Sequence, residues 1–294
     1  MPIKSEPHLF LHCDHYTEGV VLDAEGKLFF SMTGVSEIWT SPTRESTGKP
    51  RLWAHVPGAN GHAISTDGSH IVMSSTGAFL RLDETGRIAK VVATDAGGEP
   101  LIYPNGVSLD VHRGGFYATD SGYKTTPSHI EGIPKGRIVR VDANDRVSVV
   151  ADGLAYANGV GMSPDGAILY ASASTTCDIW KYRIRDDATL GGRELFAHAP
   201  ASEGNQAVLD GITVDDAGFL FVAHYGAGEI LVYAPDATLV RRIPSGNRCT
   251  SHVAIDSRLG RAFVSGAPND ESGPGAIFKV DLPSMTPLHS LVAP

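Results

Sequence analysis

Asp210-Gly211-Ile212-Thr213-Val214-Asp215-Asp216-Ala217-Gly218 decides the fold, because the same pattern recurs five more times along the chain. Glu18-Gly19-Val20-Val21-Leu22 opens one copy, followed by Asn60-Gly61-His62-Ala63-Ile64, Asn105-Gly106-Val107-Ser108-Leu109 and Asn158-Gly159-Val160-Gly161-Met162. Ser251-His252-Val253-Ala254-Ile255 is a sixth, with Ser-His in place of polar-Gly. Successive copies lie roughly 40 to 55 residues apart, the period of propellers, solenoids and arrays. Within each copy apolar and polar residues alternate, turn at an Asp/Gly loop and alternate again, as antiparallel hairpins do. Second strands such as Phe116-Tyr117-Ala118-Thr119, third strands such as Glu229-Ile230-Leu231-Val232-Tyr233 and fourth strands such as Val147-Ser148-Val149-Val150 follow. Four strands per repeat and six repeats predict an all-β, six-bladed β-propeller filling residues 1–294 as one domain. Blade six has to be completed from an end of the chain, by Leu9-Phe10-Leu11-His12 or by Leu288-His289-Ser290-Leu291-Val292, so that no sheet edge is left open.

Composition narrows the function. A hydrophobic content of 42% and a charged content of 19% suit a globular protein. The formal net charge of −9 disfavours nucleic acid and anionic membranes, which select clustered Lys and Arg, and suits a protein that holds a cation. Cys13, Cys177 and Cys249 are odd in number and lack metal-type spacing, which reads as free thiols in a reducing, cytoplasmic setting. The first residues carry no apolar signal region and no stretch is long enough to span a membrane. The expected form is a monomer or small homo-oligomer.

In a propeller the first strand of each blade lies nearest the axis, so Glu18, Asn60, Asn105, Asn158, Asp210 and Ser251 converge on one mouth of the central channel. Crowded carboxylates raise one another's pKa and a divalent ion relieves them. A set made of oxygen donors suits Ca²⁺, Mg²⁺ or Mn²⁺ better than structural Zn²⁺. The plainer reading, that Asn-Gly and Asp-Gly are turn dipeptides copied with the blade, leaves Glu18 unexplained, since Glu is not a turn former. Second strands return to the same mouth, ending at Met32, Ser75, Asp120, Ala173, His224 and Gly266. Of these Asp120 and His224 can move protons and are candidate bases, although Asp120 could equally cap a turn. His62 and His252 are candidates to face the channel, while Tyr103 and Tyr123 are candidate walls for a substrate. The segment Ser121 to Gly136 is long enough to serve as a lid.

Through Glu18-Gly19-Val20, Pro104-Asn105-Gly106-Val107, Asn158-Gly159-Val160-Gly161-Met162-Ser163-Pro164-Asp165-Gly166 and Asp210-Gly211-Ile212 the chain resembles the senescence marker protein/gluconolactonase (regucalcin-like) family of propeller lactonases. The resemblance covers essentially the whole chain. It implies one divalent cation, often Ca²⁺ with Mg²⁺, Mn²⁺ or Zn²⁺ as alternatives, at the axial mouth. Glu18, Asn158 and Asp210 fall on the family's metal positions, and Asn105 on one that touches metal or substrate. The family's sugar lactonases typically carry an Arg two residues before that Asn; here the residue is Tyr103, which points to a less polar lactone. The implied activity is hydrolysis of a cyclic ester with Asn105 orienting it. A phosphotriesterase acting through the same cation and a non-catalytic propeller with a structural calcium are the alternatives.

Overall fold

The computed structural model describes residues 6–41, 49–124, 133–201 and 207–282, and in them 24 strands form six antiparallel four-stranded sheets in a ring. After β1 (His8–Cys13), blade one is β2 (Thr17–Leu22), β3 (Leu28–Met32), β4 (Glu37–Thr40) and β5 (Arg51–His55). Blade two is β6 (Ala59–Ile64), β7 (His70–Ser74), β8 (Ala78–Leu82) and β9 (Ile88–Val92). Blade three is β10 (Pro104–Leu109), β11 (Phe116–Asp120), β12 (Gly136–Val141) and β13 (Val147–Leu154). Blade four is β14 (Ala157–Met162), β15 (Ile168–Ala173), β16 (Asp178–Ile184) and β17 (Leu190–His198). Blade five is β18 (Val208–Val214), β19 (Leu220–Tyr225), β20 (Glu229–Tyr233) and β21 (Leu239–Pro244), and blade six is β22 (Cys249–Asp256), β23 (Arg261–Ala267) and β24 (Gly275–Asp281). The six-bladed propeller read from the repeats is the fold.

The ring closes through the N-terminus: β1 pairs antiparallel with β24, from His8 opposite Lys279 to Cys13 opposite Gly275. The alternative strand, Leu288 to Val292, lies outside the described residues, as does the middle of the segment Ser121 to Gly136.

Each blade is apolar on both faces, so the core is divided among six interfaces. Phe10, Phe263 and Ile277 of blade six pack on Val20, Leu28 and Phe30 of blade one, and Ile71, Met73 and Phe79 of blade two pack on Phe116 and Val139 of blade three. Burial between neighbours holds the ring, because no single twisted sheet could cover both of its faces alone.

Every innermost strand carries a register shift beside its mouth residue: after Glu18 itself in blade one, and after the preceding residue, Ala59, Pro104, Ala157, Leu209 or Thr250, in the other five. A bulge re-aims the side chain beside it, and the six together turn six side chains toward one end of the axis. The bulge shifts one count made from the sequence: Ser74, not Ser75, pairs opposite Ala59. The Gly after each mouth residue sits within a strand, not in a turn. A Cβ on Gly61 would lie 2.0 Å from the Asn105 carbonyl oxygen, and one on Gly159 2.4 Å from that of Asp210. Glycine is therefore demanded by the approach of the next blade. In blade six His252 occupies this position, with its ring against Gly211.

Candidate active site

Hydroxyls on the second strands fix the mouth by gripping the next blade. Ser31 Oγ donates to the Asn60 carbonyl at 2.9 Å and Ser172 Oγ to that of Asp210 at 2.9 Å. Thr119 Oγ1 donates to the Asn158 carbonyl; in blade six the donor is on the innermost strand itself, Ser251 Oγ to the Thr17 carbonyl at 2.9 Å. The backbones at Thr17, Asn60, Asn158 and Asp210 are thus pinned from the neighbouring blade.

Glu18 and Asp210 come together across this ring. Burial, and then the charge of Glu18, raises the Asp210 carboxyl well above its usual range, against a hydrogen bond from Asn158. Glu18 is pushed up to about 7 by burial, opposed by hydrogen bonds from the Gly19 amide and from Tyr16 and Ser251, with Glu271 adding repulsion. The Tyr16 hydroxyl donates to Glu18 Oε1 at 3.2 Å. Asn105 is buried and its Nδ2 donates to Ser121 Oγ at 3.3 Å. No group of three His, Cys, Asp or Glu that could hold a metal occurs among the described residues. The acidic pair therefore needs the Asn158 and Asn105 amides to complete a donor set. Two buried carboxylates that destabilise one another's charge, beside amide oxygens, are the donors a hard divalent cation selects. The residues fit such an ion.

Asp120 and His224 reach the mouth end of their strands but are engaged elsewhere. Asp120 is fully buried; its Oδ1 accepts from the Tyr103 and Gly122 amides at 2.8 and 3.2 Å. Its Oδ2 accepts from the Ile102 amide at 3.0 Å and from Arg137 Nε and Nη2 at 3.0 and 2.9 Å. His224 Nδ1 lies 2.9 Å from Glu229 Oε1, and Arg242 grips both oxygens of that carboxylate at 2.8 Å. Burial would raise the Glu229 carboxyl, but His224 and Arg242 outweigh it and hold it down at about 2. Both candidate bases are thus built into ion-paired networks.

His62 and His252 line an axial cavity of about 320 Å³ beneath the mouth, walled otherwise by aliphatic residues such as Val20, Val107, Val160 and Ile212. His62 Nε2 lies 2.8 Å from His70 Nδ1, and its Nδ1 has no partner. Burial pushes His252 down to about 4 and His62 well below its usual value.

Tyr103 and Tyr123 do join a wall, and Tyr156 stands between them. The Tyr103 and Tyr156 ring centroids are 6.3 Å apart, and Tyr123 stacks on Tyr156 at 6.4 Å with planes 8° apart. Burial raises Tyr16, Tyr103 and Tyr156, and the charges of Glu18 and Asp210 raise all three further. Those side chains therefore border the acidic pair. Tyr16, Tyr156, Tyr225 and Glu271 were not singled out from the sequence. A signal existed: Tyr16, Tyr103 and Tyr156 each stand two residues before a mouth residue, the same step in three blades.

The SMP-30/Gluconolactonase/LRE-like region model matches residues 16–267. A gluconolactonase of Zymomonas mobilis subsp. mobilis is 29% identical over 247 residues, covering 80% of this chain and 68% of that protein. Among solved structures, a gluconolactonase of Xanthomonas campestris superposes with a TM-score of 0.79 at 22% identity, over 95% of this chain and 90% of that one. A calcium-binding regucalcin of Agrobacterium tumefaciens superposes with a TM-score of 0.76 at 18% identity, over 95% and 96% of the two chains. At those identities the structures speak for the fold.

Proposed function

The chain belongs to the SMP-30/gluconolactonase/LRE-like family, and on that premise we propose that it is a lactonase, hydrolysing a cyclic ester at the Glu18–Asp210 mouth with a divalent cation, most simply Ca²⁺. The observation that carries this reading is the buried acidic pair, whose two charges are tolerable only when a cation or a proton is shared between them. Glu18, Asp210, Asn158 and Asn105 would hold the ion. When bound, it would polarise the ester carbonyl and offset the negative charge that develops on its oxygen.

The rest is the work of the chain's own groups. Asn105, held by Ser121, orients the ring ester, and Tyr103, Tyr123 and Tyr156 shield it from bulk water. Water adds to the carbonyl carbon and gives up a proton; the bond between that carbon and the ring oxygen breaks; the ring oxygen takes a proton and leaves as a hydroxyl, opening a hydroxy acid. Asp210, a carboxylate at the mouth, accepts the proton from water. Asp120, with every oxygen committed to the turn before β10, supports the wall rather than the proton transfer.

The test is acid release from a panel of lactones by protein stripped with a chelator and refilled with Ca²⁺, Mg²⁺, Mn²⁺ or Zn²⁺. Turnover should vanish on stripping and return with one ion. Asp210→Ala should lose both turnover and the thermal stabilisation that the ion gives. Undiminished hydrolysis by the stripped protein overturns the reading.

A further inference from the structure

We propose that Thr17 is a positioning residue of the mouth: its hydroxyl fixes Glu18 from blade six, so that the carboxylate stands in place beside Asp210 for the ion. The inference rests on the ion-dependent reading above. Tyr16 donates to Glu18 Oε1 at 3.2 Å and the Gly19 amide to Oε2 at 3.2 Å. Bonds from within two residues orient the carboxylate inside its own segment, but the place of that segment in the ring has to be set from farther away. Thr17 sets it. The residue is fully buried, and its Oγ1 donates to the Gly266 carbonyl of β23 at 2.9 Å and to the Ala276 carbonyl of β24 at 3.0 Å, while accepting from the Gly266 amide at 2.8 Å. Those partners lie 249 and 259 residues away along the chain. A third strand joins through the main chain, where Ser251 Oγ of β22 donates to the Thr17 carbonyl at 2.9 Å. On its other side Thr17 pairs with Met32 of β3. One residue is thus clamped between its own blade and three strands of blade six, one peptide bond before Glu18.

The other blades explain why the grip falls on this residue. In blades two, four and five a hydroxyl of the preceding blade takes the carbonyl of the mouth residue itself, at Asn60, Asn158 and Asp210. Blade one departs from this: Glu18 keeps a ladder partner, Ser31, and the bulge comes after it, so blade six takes hold one residue earlier. Glu is also one methylene longer than the Asp and Asn side chains around it, and the extra rotamer freedom makes its carboxylate more dependent on a fixed backbone. The clamp reaches the closing seam as well, because Ala276 stands opposite His12 in the pair that completes the ring. Groups that hold a metal ligand from behind typically set 10–100-fold in metal affinity, about the effect expected of this hydroxyl.

The experiment titrates Ca²⁺ by calorimetry into the full chain stripped with a chelator, and follows turnover of a lactone from the panel against Ca²⁺ concentration. Thr17→Val keeps the shape and removes the hydroxyl; it should raise the Kd for Ca²⁺ by about tenfold or more, with a smaller loss of kcat at saturating Ca²⁺. Thr17→Ser, which keeps the hydroxyl, should restore the affinity. Thr40→Val is the control: Thr40 is buried and its Oγ1 donates to the Leu28 carbonyl at 2.8 Å, beside the Leu22–Leu28 pair at the end of β2 remote from Glu18. It should lower the urea midpoint and leave the Kd unchanged. If Thr17→Val lowers the midpoint but binds Ca²⁺ as tightly as the unaltered protein, the hydroxyl serves packing alone; the inference is overturned and the lactonase reading stands. Thr17→Cys, with a weaker donor and acceptor, carries the same test if the Val variant does not fold. If the protein binds Ca²⁺ but opens no lactone, the lactonase reading falls, and the Kd series decides Thr17 by the same two outcomes. If it binds none of Ca²⁺, Mg²⁺, Mn²⁺ or Zn²⁺, both are overturned.

Discussion

At the scale of single residues, Asp120 shows how position and role separate. Its carboxylate gathers three backbone amides and the Arg137 guanidinium into the turn that delivers Tyr103 and Asn105. Asp120→Asn leaves Arg137 with only the longer contact to Asp95, at 3.9 Å, and should cost about 3 kcal/mol of stability, read from the urea midpoint, with little change in kcat of the folded protein. A collapse of kcat at unchanged stability would return Asp120 to the role of base. From the sequence both readings of Asp120 were open, because a carboxylate at a strand end looks the same whether it faces substrate or a loop. The mouth residues were legible, since Glu18 and Asp210 interrupt a pattern of amides in the same register. Tyr16, Tyr103 and Tyr156 share a register too, but only the Tyr16–Glu18 hydrogen bond and the pull of the acids' charge on all three show what that register faces. Replacing Tyr103 by Arg, the residue typical of the family's sugar lactonases at that step, should shift kcat/KM toward glucono-δ-lactone and away from an unsubstituted aliphatic lactone such as δ-valerolactone.

At the scale of the element, the innermost strands depend on glycine for a reason that sequence alone hid. Asn-Gly reads as a turn by local propensity, yet these dipeptides lie in strands, and the demand for Gly comes from the blade alongside. Gly61→Ala would push a methyl against the Asn105 carbonyl, prising blades two and three apart, and should cost at least about 2 kcal/mol, measured by denaturant unfolding. Gly192→Ala in β17 meets open space and serves as the control. The same strands place His62 and His252 in the axial cavity, with His70 behind His62; burial lowers His70 and His252 to about 4. An unfolded chain binds protons on these histidines from about pH 6.5 downward, whereas the folded one does so only near pH 4. The share of stability that these histidines set should therefore be complete above about pH 7 and fall as the pH drops from 6.5 to 4, while in ion-free protein the raised Glu18 and Asp210 carboxyls act in the opposite direction, so the profile is read on ion-loaded protein. Glu229 adds a second loss at lower pH: its carboxyl, held at about 2, stabilises the fold above its unfolded value near 4.5 and ceases to as pH falls toward 2. Unfolding midpoints between pH 3 and pH 8 would resolve the two windows.

At the scale of the whole molecule, the ring has no free inner seam because consecutive innermost strands touch around the full circle, β2 meeting both β6 and β22. Six repeats and the need to close were legible in the sequence. Which end closes was not, since Leu9-Phe10-Leu11 and Leu288 to Val292 are both alternating and apolar. The structure pairs β1 with β24 and packs Phe10 edge-on to Phe263 at 5.2 Å. Removing residues 1–13 should bare the edge of β24 and part of the blade-six core, replacing the native species on size-exclusion chromatography by self-associated forms.

That closure also sets a timetable for biosynthesis. Ala276 leaves the ribosome 264 residues (276 − 12) after its partner His12. At ~5–20 residues per second the interval is on the order of tens of seconds. Throughout it, the apolar Leu9-Phe10-Leu11 segment lacks its partner while the five intervening blades are made. The closing pair can form only after β24 has been made.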